Sequence, residues 1–192
     1  MRKFDPNHAK MLLNPERRRW QDPESILNAV GATSGMTLAD VGAGPGFFTL
    51  PAARRVGPTG KVYALDVEPG MIERVKERAD SEGITNVEAL VSQEDRLPLP
   101  DGAVDAALLV NVLHEALNPP RLLQEIVRVL RPAGVLAVVE WKKEPQEWGP
   151  PYQDRLAPES VEEALRRAGF HTVEPFEVGP NHYGLRAQSR PA

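Results

Sequence analysis

The glycine-rich segment Asp40-Val41-Gly42-Ala43-Gly44-Pro45-Gly46-Phe47-Phe48 joins a short apolar run, Thr37 to Val41, to the start of a helix pattern. No other feature constrains the fold as much. Glycines accept positive φ and let a ligand approach the backbone, while the first N–H groups of a following helix are free to meet it. A strand and helix joined in this way cannot bury their apolar faces alone, and the rest of the chain repeats the unit. Lys61 to Leu65 reads as a second strand, and Pro69 to Glu82 as a helix with Met71, Ile72, Val75 and Ala79 on one side and Gly83 as its stop. Val87 to Val91, Val104 to Val110 and Val135 to Glu140 are further strands. Asn118-Pro119 caps a helix carrying Leu122, Leu123, Ile126, Val127 and Leu130, and Pro158 to Ala168 is a last helix ended by Gly169. Asp22-Pro23 opens an earlier one with Ile26, Leu27 and Val30 on one face.

The tail departs from the alternation. Thr172 to Val178 and His182 to Gln188 are strand-like and joined only by Gly179-Pro180-Asn181, too short for a crossover helix, so they pair antiparallel. The expected fold is a three-layer α/β, Rossmann-like, seven-stranded mostly parallel sheet with a C-terminal antiparallel hairpin. Its ligand site lies outside the carboxyl ends of the strands, where the strand order switches. Residues 1–22 read as an N-terminal arm or lid and 23–192 as one domain.

Composition narrows the function. Of 192 residues 41% are apolar, enough for a continuous core without staples, and none is cysteine, which excludes disulfides, zinc thiolates and a cysteine nucleophile and favours the cytoplasm. The longest strongly apolar segment, Val104 to Leu113, is half a membrane span. A net charge of −4 is the wrong sign for gripping phosphate backbones, so no nucleic-acid partner is expected. No pair of histidines stands at metal-ligand spacing, so no metal is expected; monomer and homodimer both stay open.

Asp66 ends the second strand 20 residues after Gly46, where a carboxylate accepts hydrogen bonds from two ribose hydroxyls. Loop and acid together point to a nucleoside cofactor. The dinucleotide fingerprint asks for G-x-G-x-x-G, whereas here the third glycine comes one position early and Pro45 removes an N–H that a pyrophosphate would use. A nucleoside cofactor without pyrophosphate is favoured, with an NAD(P)-dependent oxidoreductase as the alternative in another class.

The set Leu38-Ala39-Asp40-Val41-Gly42-Ala43-Gly44-Pro45-Gly46, Val62-Tyr63-Ala64-Leu65-Asp66 and Leu97-Pro98-Leu99-Pro100-Asp101 resembles the class I S-adenosylmethionine-dependent methyltransferases, from about Glu24 through Phe170. The pattern is similar to the small-molecule enzymes of ubiquinone and menaquinone biosynthesis, including His114 after the fourth strand and the turn Leu130-Arg131-Pro132-Ala133-Gly134-Val135-Leu136. The resemblance implies S-adenosyl-L-methionine as cofactor. Asp40, Gly42, Ala43 and Gly44 would surround its methionine moiety, Asp66 its ribose, and Val67 and Met71 the adenine face, with the Asn111 backbone on the amino group. Such enzymes often place Asp-Ala before Leu-Pro to take the adenine amino group. This chain reads Ser92-Gln93-Glu94-Asp95-Arg96, so Glu94 is the assignment, with Gln93 and Asp95 open.

Methyl transfer to an O, N or activated-carbon nucleophile needs alignment and, for a protonated nucleophile, a base. His114 is the candidate base, or else a residue that packs against the cofactor or caps a loop. Glu140 ends the fifth strand and would orient substrate, or else is a solvated strand-end acid or a hydrogen-bond partner of the glycine-rich loop. Trp141, Trp148 and Tyr152, among Pro145, Pro150 and Pro151, form a candidate lid for a flat or apolar substrate, with Trp141 and Tyr152 as contacts. Phe4, Trp20 and Glu16-Arg17-Arg18-Arg19 belong to the arm, where the arginines either hold an anionic substrate or face solvent. A nucleic-acid methyltransferase would want Asn-Pro-Pro-aromatic directly after the fourth strand; Asn118-Pro119-Pro120-Arg121 comes about eight residues late and is explained by capping. Arsenite methylation needs thiolates and is set aside. A non-catalytic cofactor-binding subunit is the remaining alternative.

Overall fold

In the computed structural model, which describes residues 9–191, seven strands form one sheet. They are β1 Thr37–Val41, β2 Lys61–Asp66, β3 Val87–Val91, β4 Val104–Val110, β5 Leu130–Trp141, β6 Phe170–Phe176 and β7 His182–Ser189. Their spatial order is β3-β2-β1-β4-β5-β7-β6. The first five pair in parallel, while β7 inserts antiparallel between β5 and β6. The helices are α1 Ala9–Leu12, α2 Pro23–Ala29, α3 Thr49–Val56, α4 Pro69–Ser81, α5 Pro119–Val129 and α6 Pro158–Ala168. None among the described residues is long and apolar enough to cross a membrane.

Parallel strands covered on both faces have no room for polar alternation, and β4 is buried along nearly its whole length. One face packs Leu136, Val138, Leu109 and Leu123 with α5 and α6; the other packs Leu38, Leu108, Val139 and Ile26 with α2 and α3. The caps act as the sequence predicts. Asp22 accepts from the Glu24 N–H at 3.3 Å, and Asn118 Oδ1 from the Arg121 N–H at 3.2 Å.

No helix joins β3 to β4. Leu97 and Leu99 fill that part of the core instead, held by one cation. Arg128 Nη2 donates to the Leu97 carbonyl at 3.1 Å, Nη1 to the Leu99 carbonyl and to Asp101 at 2.8 Å each, while Glu125 accepts from both Arg128 and the Leu97 N–H. The Leu-Pro-Leu-Pro-Asp segment is thus a stapled piece of core wall.

Four strands differ from the sequence-based bounds: β2 and β7 each run one residue further, to Asp66 and Ser189, and β5 and β6 differ by more. β5 starts at Leu130, not Val135: Leu130 pairs with Val104, the chain bulges out through Arg131–Gly134 with Ala133 at φ 60°, and pairing resumes at Val135↔Ala106. β6 starts at Phe170, whose ring plugs the core, and ends at Phe176. It is the outer edge strand, where Pro175 is tolerated.

Arg128→Met is expected to lower stability by about 2 kcal/mol in urea melts with the far-ultraviolet spectrum unchanged, because several charge-assisted hydrogen bonds vanish together. Arg128→Lys is expected to recover less than half of this loss, since an ammonium lacks the planar fork.

Candidate functional site

The strand order reverses between β1 and β4, so their carboxyl ends open a crevice. At its floor the chain turns sharply at Gly42, φ 73°, where a Cβ would overlap the Val112 side chain; this glycine is demanded by the protein's own packing. The N–H groups of Gly42 and Ala43 donate to the Leu65 carbonyl at 2.7 and 3.0 Å. The Gly44 N–H donates to Asp66 Oδ2 at 2.7 Å, and Asp66 Oδ1 accepts from the Glu68 N–H at 2.9 Å. Arg78, which the sequence did not single out, donates to the Pro45 carbonyl at 2.7 Å. The Ala43 side chain turns inward onto Leu50, Ala64 and Val75, leaving only its backbone on the loop surface.

Asp40 lies beneath this loop, fully enclosed, with Thr49 Oγ1 donating to its Oδ2 at 2.6 Å. Burial drives its carboxyl from 3.8 up to about 6; the Thr49 bond and the Arg17 charge pull it down, and Asp66 pushes it further up. Asp66 is raised as well, chiefly by burial, against the Glu68 and Gly44 N–H bonds. Each of its oxygens keeps lone-pair capacity beyond these amides, as two ribose hydroxyls require.

Val67, half-buried, and Met71, buried, stand where β2 passes into α4. Glu94, half-buried, sits in the tight turn after β3, which is closed by the Gln93 N–H donating to the Arg96 carbonyl. The Ser92 N–H donates to the Asp66 carbonyl at 2.9 Å, so this turn and the acid share one end of the sheet.

On the other side of the crevice the register Val110↔Val139 brings Asn111, His114 and Glu140 together. His114 Nδ1 lies 2.7 Å from Glu140 Oε2, and the His114 N–H donates to Oε1 at 3.2 Å; Glu140 is 0% exposed. His114 Nε2 faces Glu115 Oε1 at 3.7 Å. Burial opposes the imidazolium, but Glu140, by hydrogen bond and charge, then Glu115 and Asp154, outweigh it and hold His114 above its ordinary 6.5. Glu140, expected to orient substrate or tie a loop, is therefore a partner of His114.

Asn111 holds φ 58°, a region asparagine tolerates, while its N–H donates to the Val139 carbonyl. Its Nδ2 faces His182 Nε2 at 3.5 Å, and the His182 ring lies 4.1 Å from that of Trp141. His182 was not legible as a site residue. Burial, then the charges of Arg17, Arg155, Lys142 and His114, lower it to about 3, so it is neutral. The three lid aromatics separate. Trp141 is half-buried against Gly149, whereas Trp148 and Tyr152 are 64% and 54% exposed. The segment they belong to is fastened by Arg155, buried and donating to the carbonyls of Lys142, Glu144, Trp148 and Pro150.

The arm lies across the loop. Arg17 stacks 4.6 Å from the Phe47 centroid and 5.0 Å from that of Phe48, and donates to Gln21 Oε1 and the Leu12 carbonyl. Arg18 and Arg19 are exposed, Trp20 packs its backbone on Gly179, and Phe4 lies outside the described residues.

A glycine loop leaving the first strand of such a sheet, with a buried acid at the end of the second, defines a nucleoside-binding α/β protein of the methyltransferase type. Comparison with known proteins agrees. A family model described as a methyltransferase domain matches residues 39–138. A solved SAM-dependent methyltransferase from Aquifex aeolicus is 39% identical with a TM-score of 0.92, covering 97% of this chain and 99% of that one. The 2-phytyl-1,4-naphtoquinone methyltransferase of Trichormus variabilis is 36% identical over 132 residues, 67% of this chain and 56% of that protein. The ubiquinone/menaquinone biosynthesis C-methyltransferase of Hydrogenovibrio crunogenus is 34% identical over 114 residues, 59% of this chain and 45% of that protein. The chain spans about half the length of these two curated relatives. It belongs to the S-adenosylmethionine-dependent methyltransferase family.

Asp40 yields a prediction with a definite sign. Its folded-state value lies above the unfolded one, so the native state pays no penalty below about pH 4, loses stability as pH rises towards 6, and carries the full deficit above it. The gap from 3.8 to about 6, at about 1.4 kcal/mol per pH unit, is about 3 kcal/mol. Asp40→Asn is expected to stabilise the unliganded protein by about 1–3 kcal/mol at pH 7, with the gain gone at pH 4, in urea melts at the two pH values.

Proposed function

We propose that this protein transfers the methyl group of S-adenosylmethionine to a small, flat, hydroxyl-bearing acceptor of the quinol kind, with His114 as the base. The His114–Glu140 pair carries this reading. A carboxylate on Nδ1 favours the Nδ1–H tautomer, leaves the Nε2 lone pair to accept a proton, and stabilises the imidazolium that results. The quinone methyltransferases among the relatives support the acceptor class.

Bound S-adenosylmethionine supplies a methyl group activated on a sulfonium. Asp66 takes the ribose hydroxyls, Val67 and Met71 flank the adenine, and Glu94 takes its amino group. The Gly42–Gly44 backbone, Asp40 and Asn111 surround the methionine end. His114 Nε2 removes the acceptor's hydroxyl proton. The freed electron pair, on oxygen or relayed to a ring carbon, would be the nucleophile for that methyl group, the carbon–sulfur electrons remaining on sulfur and the proton on His114. Trp141 and Tyr152 border the acceptor.

Calorimetry with S-adenosylhomocysteine tests the cofactor: micromolar binding is expected, weakened by about 1.5–3 kcal/mol in Asp66→Ala. Tight NAD binding with no response to S-adenosylhomocysteine would refute the reading. With 1,4-naphthohydroquinone as acceptor, His114→Ala is expected to lower turnover by about 10²–10⁴ at unchanged S-adenosylhomocysteine affinity. The wild-type rate rises with pH through the raised His114 value, because the base works neutral, and Glu140→Gln is expected to move that limb to lower pH. A pH profile unmoved in Glu140→Gln would leave the pair a structural one.

A further inference from the structure

Arg17, Gln21 and His182, none of which the family resemblance gives a role at the cofactor, form a polar group with the Asn111 side chain. Arg17 uses two of its donors on Gln21 Oε1 at 2.8 Å and the Leu12 carbonyl at 3.0 Å, while a guanidinium has about five N–H bonds to give. Among the described residues no carboxylate stands within ion-pair distance of it; Asp40 acts on it through space. Three buried atoms nearby have no hydrogen-bond partner: Gln21 Nε2, His182 Nδ1 and Asn111 Oδ1. Gln21 is 1% exposed and His182 2%, and a buried polar atom left unpaired costs about 1–3 kcal/mol, so three together ask for an occupant.

Position ties the group to the glycine loop. Arg17 lies over Phe47 and Phe48, and Leu12 Cδ1 stands 3.5 Å from where a Cβ on Gly44 would be. The Trp20 backbone, next to Gln21, packs on Gly179 in the connection that leads to His182. The charges acting on His182 are those of Arg17, Arg155, Lys142 and His114, a field that attracts an anion.

The donor pattern defines the ligand. Asn111 Nδ2 faces His182 Nε2, so a neutral imidazole carries its proton on Nδ1. Arg17, Gln21 Nε2 and His182 Nδ1 then offer donors, and Asn111 Oδ1 offers an acceptor. Donors match a carboxylate and the acceptor matches an ammonium. We propose that the arm completes the cofactor site, Arg17 and Gln21 holding the carboxylate and Asn111 the ammonium of the cofactor's amino-acid end. This rests on the family's cofactor. It turns the arm's arginine from a substrate-holding or solvent-facing residue into a wall of the cofactor pocket, and assigns no such role to Arg18 or Arg19.

The test is calorimetry of full-length protein with S-adenosylhomocysteine and with 5′-deoxy-5′-methylthioadenosine, which keeps the nucleoside and sulfur but lacks the amino-acid end. Wild type is expected to bind the first at least about tenfold more tightly. Arg17→Gln is expected to lose about 10–100-fold for S-adenosylhomocysteine and nothing for methylthioadenosine, the second result also showing the fold intact. Arg17→Lys is expected to recover part of the loss, as a point charge without the fork. Equal weakening of both ligands would make the arm a structural strap and overturn the assignment. So would unchanged S-adenosylhomocysteine affinity with a raised KM for an acceptor carboxylate, which would give the anion to the acceptor. If neither ligand binds wild type, the cofactor reading falls, and this one with it.

Discussion

Leu65 and Asp66 tie the glycine loop to the end of β2, and the rest of the crevice depends on that tie. One carbonyl takes the N–H groups of Gly42 and Ala43, and the adjacent carboxylate takes those of Gly44 and Glu68. Loop, strand end and the start of α4 are therefore one rigid body. Asp40 is sealed beneath it, and the aromatic pair Phe47 and Phe48 is presented above it to the arm.

Enclosing Asp40 and Asp66 runs against stability, because both carboxyls are pushed above their ordinary range. Asp40 lies beneath the glycine loop and Asp66 at the strand end beside it, in a family whose cofactor is cationic at sulfur and nitrogen. Their hydrogen bonds to Thr49, Gly44 and Glu68 only partly offset that burial, in line with the general tendency of perturbed groups to gather at functional sites.

What was legible in the sequence follows from range of interaction. β1, β3 and β4 are found at their predicted bounds because each is a short apolar run between turn residues, and α6 because its apolar spacing and end signals are local; α4 stops at Ser81 rather than Glu82, and Leu130, read as part of the α5 helix, opens β5 instead. Gly42, Gly44 and Asp66 were visible for the same reason: a loop and an acid lie on consecutive units. His114 was visible as a residue but not as a pair, since Glu140 reaches it only through the β4–β5 register. Arg17 was visible only as one of a run of three arginines, and Gln21 and His182 not at all, because the group is assembled from the two ends of the chain. The start of β5 was missed because the pairing that begins at Leu130 is interrupted by a four-residue bulge that reads as a turn.

The segment from Lys142 to Pro150 has no regular structure, yet one buried side chain gathers four of its carbonyls. Arg155 thus grips what every amino acid has in common and ignores what distinguishes one from another. Apart from Gly149, whose φ of 90° and contact with Trp141 leave no room for a Cβ, side chains along that segment can be exchanged without disturbing the fastening, so its surface is free to diverge while its backbone stays in place. A descendant of this chain inherits the shape of that stretch and can change its chemistry.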